Sequence, residues 1–285
     1  MVKHANLFML ILVIYIQALG SALVFFAFYS ETYFNIAISI QILQPVSSVL
    51  SFAVPFAAYL LITKRKLSET LPLKPLNPVN LTLVVCISIA VIPVLMLISA
   101  VSSALFDNNA AVFLEEMMTL PAAAVMISVA VIPAVFEEII FRGIILTNCK
   151  DIGIKKAAVI SGLFFALIHM DLQQFFYAFV MGVILSSLVY YTKSIFAPVV
   201  SHFVVNASAI ALSYAAADIS ESFPLLPALI ISIPVLFMAS KYFVSYNEKN
   251  LTVEININDS AVNKVFTWEF WAVLCLYVII AVIFI

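Results

Sequence analysis

The run from Val79 to Phe106, VNLTLVVCISIAVIPVLMLISAVSSALF, holds 28 residues without a single charge. A helix needs about 20 predominantly apolar residues to cross a hydrocarbon layer ~30 Å thick. This stretch can therefore span a membrane by itself. Comparable runs lie on either side of it, at 6–29, 36–63, 121–148, 172–192, 197–215, 223–239 and 266–285. A shorter apolar stretch, 157–170, is expected to enter part-way and turn at Met170-Asp171. No segment alternates with the two-residue period of a barrel strand. The fold class is all-α: a polytopic transmembrane helix bundle of about eight or nine helices.

Composition points the same way. Hydrophobic residues make up 65% of the 285-residue chain and charged residues 10%. Soluble domains are nearer half apolar and a quarter charged, so lipid must serve as the solvent for most of this surface. A net charge of -2 leaves no basic face for nucleic acid. The three cysteines, Cys86, Cys149 and Cys275, are too scattered for a disulfide framework or a metal knuckle.

The charges also orient the spans. Lys3, Lys64, Arg65, Lys66, Lys74, Lys150, Lys155, Lys156, Lys193, Lys241, Lys249 and Lys264 all fall on one side, 12 of the 13 basic residues. The other side holds Glu31, Asp107, Glu115, Glu116, Asp171, Asp218 and Glu221. The positive-inside rule then sets the N-terminus in the cytoplasm of a multi-pass cell-membrane protein. A reporter fused near Asn250 is expected to be cytoplasmic and one fused after Ile285 extracytoplasmic. A cytoplasmic Ile285 fusion would mean a miscounted span. The chain divides into three N-terminal spans with their loops (1–120), a polar-studded core (121–215) and C-terminal helices (216–285) with a polar cytoplasmic linker at 240–265.

The missing basic residue, Arg142, lies inside the fourth span, in Phe136-Glu137-Glu138-Ile139-Ile140-Phe141-Arg142-Gly143. Each charge placed in hydrocarbon costs on the order of 2.5–3.5 kcal/mol even on insertion scales. Glu138 and Arg142, four apart, share a helix face and can pair. Glu137 points about 100° away and has no local partner. Two histidines join them, in Phe165-Ala166-Leu167-Ile168-His169 and in Ser201-His202-Phe203-Val204-Val205-Asn206. Counting ~1.5 Å per residue from the basic ends sets Glu138 at ~16 Å depth, His169 at ~18 Å and Asn206 at ~13 Å, with His202 shallower. Each feature alone has a plain reading, a buried brace or an interhelical hydrogen bond. A proton or cation path would use similar residues. Together, at one level, they form a candidate site.

Glu137-Glu138-x-x-x-Arg142, Phe165-x-x-x-His169 and His202-x-x-x-Asn206, in this order, resemble the signature of the CPBP family. That family includes the type II CAAX prenyl endopeptidases, and the bacterial CAAX-like or Abi proteases linked to bacteriocin immunity and lysostaphin resistance. The resemblance covers about 121–215. It implies an intramembrane endopeptidase, often labelled a metalloendopeptidase, with catalytic Glu137, His169, His202 and Asn206. Glu137 would be the general base acting on water with His169, and His202 and Asn206 would bind the oxyanion. Glu138 and Arg142 would support the helix. The implied partner is a membrane-associated protein or peptide, with or without a lipidated C-terminal tail.

Hydrolysis does need a base, a water and donors where negative charge develops, and no Ser or Cys stands among these residues as a nucleophile. No cofactor is favoured. Zinc is the alternative, with ligands drawn from Glu137, Glu138, His169 and His202, although the His-Glu-x-x-His pattern is absent. The competing functional class is a non-enzymatic membrane scaffold or immunity protein, or a proton-coupled carrier, built on the same polar cluster.

Overall fold

The computed structural model describes residues 2–218, 224–248 and 265–283. Among these residues the regular structure is helical, and the chain is a multi-pass membrane protein. The helices are α1 (Val2–Phe34), α2 (Ile40–Thr63), α3 (Pro78–Ser103), α4 (Asn109–Met117), α5 (Ala122–Ile152), α6 (Ile154–Leu167), α7 (Leu172–Thr192), α8 (Phe196–Asp218), α9 (Leu225–Glu248) and α10 (Trp268–Ile283). Seven of them, α1, α2, α3, α5, α7, α8 and α9, are long and apolar enough to cross a membrane.

The 14 residues of α6 give a rod of about 21 Å, short of the hydrocarbon thickness. The chain then folds back on α7 at the predicted turn, Met170-Asp171. The reversal is made by Met170, whose φ of 51° is left-handed, and by Asp171, whose Oδ1 accepts from the Gln174 backbone N–H at 2.7 Å to cap α7. Two glycines let the arms of this hairpin nearly touch. A Cβ on Gly182 would lie 2.7 Å from Gly162 Cα, and one on Gly162 would lie 2.9 Å from Val183 N. Small residues at such crossings are what permit close helix approach in membranes. Gly182→Ala is accordingly expected to overpack the crossing by about 1–3 kcal/mol, read as a lower melting temperature of the purified protein. An unchanged melting temperature would show that the hairpin opens at no cost.

Three elements depart from the sequence expectations. The short helix α4 lies between spans, begun by Asn108, whose Oδ1 accepts from the Ala111 N–H. Helix α9 continues through Glu248, so the first part of the predicted linker 240–265 is helical. The reason is packing: Phe243 and Asn247 are buried. Asn247 and Asn80 at the base of α3 exchange side-chain hydrogen bonds of 2.8 and 3.1 Å. The rest of the linker, 249–264, and both reporter positions lie outside the described residues. Helix α1 is longer than predicted. Near its start, Asn6 Nδ2 donates to the Val265 carbonyl and Thr267 Oγ1, tying it to the foot of α10.

Helix α3 packs against α7, α8 and α9, while α1, α2 and α6 flank α5. The buried apolar residues form two clusters. The larger runs through most of the bundle, from Ala5 and Ile152 to Tyr277 and Ala281. The smaller gathers Met117, Val125, Ala130 and Ile210 where α4, the first turns of α5 and the far half of α8 meet. The polar residues singled out in the sequence lie where these two clusters adjoin.

Candidate active site

The backbone of α5 is irregular at the two places that matter. It is π-helical over Met126–Val131 and again over Ile139–Ile145. Widened turns of this kind leave carbonyls short of their usual partners, and they concentrate at functional sites. Pro133 follows the first stretch and has no N–H to give to Val129 O, four residues earlier. Asn206 takes that place, its Nδ2 donating to Val129 O at 3.0 Å. In the second stretch the Phe141 carbonyl accepts from Ser161 Oγ at 3.2 Å.

Glu138 and Arg142 pair as the spacing predicts, with Arg142 Nη1 donating to Glu138 Oε1 at 2.9 Å. Both side chains are fully enclosed. The same Oε1 also accepts from His202 Nδ1 at 2.8 Å, so the brace extends from α5 to α8. Arg142 Nη2 donates to the Gly182 carbonyl at 2.9 Å, which extends it to α7. Directly after Arg142, a Cβ on Gly143 would run into Leu71, which is buried just past the one-turn helix Leu67–Thr70. The chain after Leu71 returns to the foot of α8, where the Ile195 N–H donates to Pro72 O at 2.7 Å. This fixes the depth of α8. It is His202, not Asn206, that meets Glu138, and Asn206 sits one turn farther along at Val129.

Glu137 is close enough to His202, Glu138 and Arg142 to interact electrostatically with all three. Its Oε2 is buried and has no hydrogen-bond partner among the described residues. His169 Nδ1 lies 2.7 Å from the Phe165 carbonyl. A carbonyl only accepts, so Nδ1 carries the proton and the neutral ring keeps its lone pair on Nε2. His202 is fixed by the same logic, Nδ1 toward a carboxylate and Nε2 uncommitted. Glu137, His169 and Asn206 are half-buried, whereas Glu138, Arg142 and His202 are closed off.

Glu137, Glu138, Arg142, His169 and His202 thus fall together, joined directly, by charge or through the Phe165 ring, while Asn206, one turn beyond His202 on α8, meets α5 at Val129. The sequence reading quoted Phe165 only as the start of a motif. In the structure its ring lies against Arg142, His169 and His202 together. The signal was its place one helical turn before His169.

Glu137 Oε2 and Glu138 Oε2 are both buried without a hydrogen-bond partner among the described residues. Glu138 Oε1 is already shared by Arg142 and His202. Among the described residues no three His, Cys, Asp or Glu side chains are grouped so as to hold a metal ion.

Residues 119–208 match the family model described as type II CAAX prenyl endopeptidase Rce1-like. The resemblance read from the three motifs is borne out. Every residue of the cluster lies in this Rce1-like stretch, from Val129 to Asn206. At the level of that family, the stretch is similar to CAAX-type intramembrane proteases, which are peptidases. The first three spans and the last two helices lie outside the match. No curated protein and no solved structure matches the chain.

Proposed function

We propose that the protein is an intramembrane endopeptidase that hydrolyses a peptide bond in a membrane-associated protein or peptide with a glutamate-activated water. The observation that carries this reading is the division of the two carboxylates. Glu138 is held through Oε1 by Arg142 and His202, with its Oε2 left without a partner, whereas among the described residues Glu137 makes no such ion pair and its Oε2 is likewise buried without a hydrogen bond.

In the proposed reaction Glu137 takes a proton from water as the water oxygen adds to the scissile carbonyl. His169 Nε2 accepts the water's other hydrogen and so fixes the direction of its lone pair. The carbonyl oxygen becomes an oxyanion. Asn206 has a second amide hydrogen beyond the one given to Val129, and His202, when protonated, donates from Nε2 while Glu138 holds Nδ1. Collapse breaks the C–N bond, and Glu137 returns its proton to the leaving amine. Preorganised donors of this sort are commonly the largest single contribution to acyl-transfer catalysis. In this scheme the base and the donors are side chains of this chain, and no metal takes part.

The test is cleavage of a farnesylated CAAX peptide by the purified protein in liposomes, with zinc measured in the same preparation. The expected result is cleavage that persists in chelator, with far less than one zinc per chain. Stoichiometric zinc that disappears together with activity in His169→Ala and His202→Ala would sink the metal-free mechanism. No cleavage of this peptide, or of membrane-anchored peptides with unlipidated tails, would favour the scaffold or carrier class.

A further inference from the structure

Phe165 is 3% exposed and belongs to the larger apolar cluster, which by itself makes it filler. Its contacts are not those of filler. The guanidinium carbon of Arg142 lies over its ring, 4.6 Å from the centroid. The His169 ring centroid is 5.1 Å away at an interplanar angle of 73°, and that of His202 is 5.6 Å away at 80°. Phe141, from the second π-helical stretch of α5, meets it nearly perpendicular at 5.2 Å. Its own carbonyl is the acceptor for His169 Nδ1. One side chain therefore touches α5, the end of α6 and α8. Its Cβ would lie 3.2 Å from a Cβ added at Gly182, so α7 closes against it as well.

An aliphatic side chain would fill this space without reproducing the contacts. An aromatic ring has a negative face and a positive edge, which favours perpendicular ring pairs and attracts a cation to the face. Arg142 needs such a partner. Its Nε has no hydrogen-bond acceptor among the described residues, and the carboxylate with which it pairs is shared with His202. The three ring contacts are the orientations that this charge distribution prefers.

We propose that Phe165 is a positioning residue of the site. The face of its ring holds the Arg142 cation, and the ring orients both imidazoles, so that each keeps Nδ1 on its present acceptor and Nε2 free for chemistry. The chemical consequence rests on the peptidase reading; the orientation of the histidines does not. Leucine at 165 removes the ring. Pentafluorophenylalanine at 165 keeps its shape and reverses the charge distribution, which protects the experiment should Phe165→Leu fail to fold.

Two readouts are needed. The chain has three histidines, His4, His169 and His202, so nitrogen NMR of histidine-labelled protein reports the protonated ring nitrogen of each. Turnover of the farnesylated CAAX peptide gives kcat and KM. In the pentafluorophenyl protein the His169 and His202 signals are expected to move toward rings exchanging between tautomers, with His4 unchanged. The value of kcat should fall about 100-fold, the scale of a small misplacement at a reacting centre, with little change in KM. Wild-type nitrogen signals and kcat in a folded pentafluorophenyl protein would overturn the proposal and leave Phe165 a volume filler. If the unmodified protein cleaves nothing, the peptidase reading fails, and the nitrogen signals alone decide: exchange supports positioning, and unchanged signals overturn it.

Discussion

Glu137→Gln is expected to lower kcat about 10²–10⁴-fold, the range contributed by a positioned general base, while the protein accumulates in the membrane at its normal level. The two halves of this expectation have separate grounds. Turnover falls because an amide has no basic oxygen with which to take the proton from water. Abundance holds because no hydrogen bond depends on Glu137 Oε2 among the described residues, and Arg142 keeps its paired carboxylate, Glu138. Glutamine has nearly the same shape, and it removes a charge that is costly in hydrocarbon. Membrane level is read by immunoblot and turnover with the farnesylated peptide at saturating concentration. Full turnover in Glu137→Gln would place the base elsewhere. A protein lost from the membrane would mean that Glu137 supports the fold after all.

The architecture was legible because crossing lipid demands something a sequence displays openly, a long run without charge. Val79 to Phe106 became α3 within a few residues at either end. The run 157–170 was informative too, since an apolar stretch shorter than a span became a helix of only 14 residues. The misread parts were those in which neighbouring elements overrule local pattern. The polar residues after Ala239 looked like linker because hydropathy cannot see the Asn80–Asn247 pair that keeps α9 helical. Helix α4, with Glu115 and Glu116, lacks the length that marks a span.

In the site, residue identity was easier to read than residue placement. The costs of Glu137, Glu138, Arg142, His169 and His202 in lipid singled them out without any structure. Their depths were counted at a uniform α-helical rise from the ends of the spans. That rule fails on α5, which widens into π turns at Met126–Val131 and Ile139–Ile145, and on α8, whose foot is tied to Pro72. The count could only set Asn206 and His202 near the level of Glu138; which of them meets it is seen in the structure, and it is His202. Pro133 stands in plain sight inside the fourth apolar run. What could not be seen is that the carbonyl it fails to satisfy belongs to Val129, the acceptor for Asn206.

Glu138→Gln should behave in the opposite manner to Glu137→Gln and destabilise the protein by about 3–5 kcal/mol, the cost of removing one partner from a buried ion pair. Arg142 is enclosed, and Glu138 is the carboxylate with which it pairs. Glutamine can still accept a hydrogen bond through its carbonyl, but it removes the paired charge, leaving the guanidinium the Gly182 carbonyl, the Phe165 and Phe141 rings and the unpaired Glu137 charge. His202 loses its carboxylate in the same step. The expected readouts are a lower melting temperature and a lower membrane level, with turnover reduced in whatever protein remains. A second substitution separates an uncompensated charge from a lost contact. If the unbalanced cation is the problem, adding Arg142→Met to Glu138→Gln should recover part of the stability, because removing both members of a buried pair costs less than removing one. The two substitutions would then be strongly non-additive, as expected for residues within one network. Turnover should not return with stability, since His202 still lacks the carboxylate that fixes its Nδ1. A double variant less stable than Glu138→Gln alone would instead assign the cost to lost packing around Arg142, and the charge argument would fail.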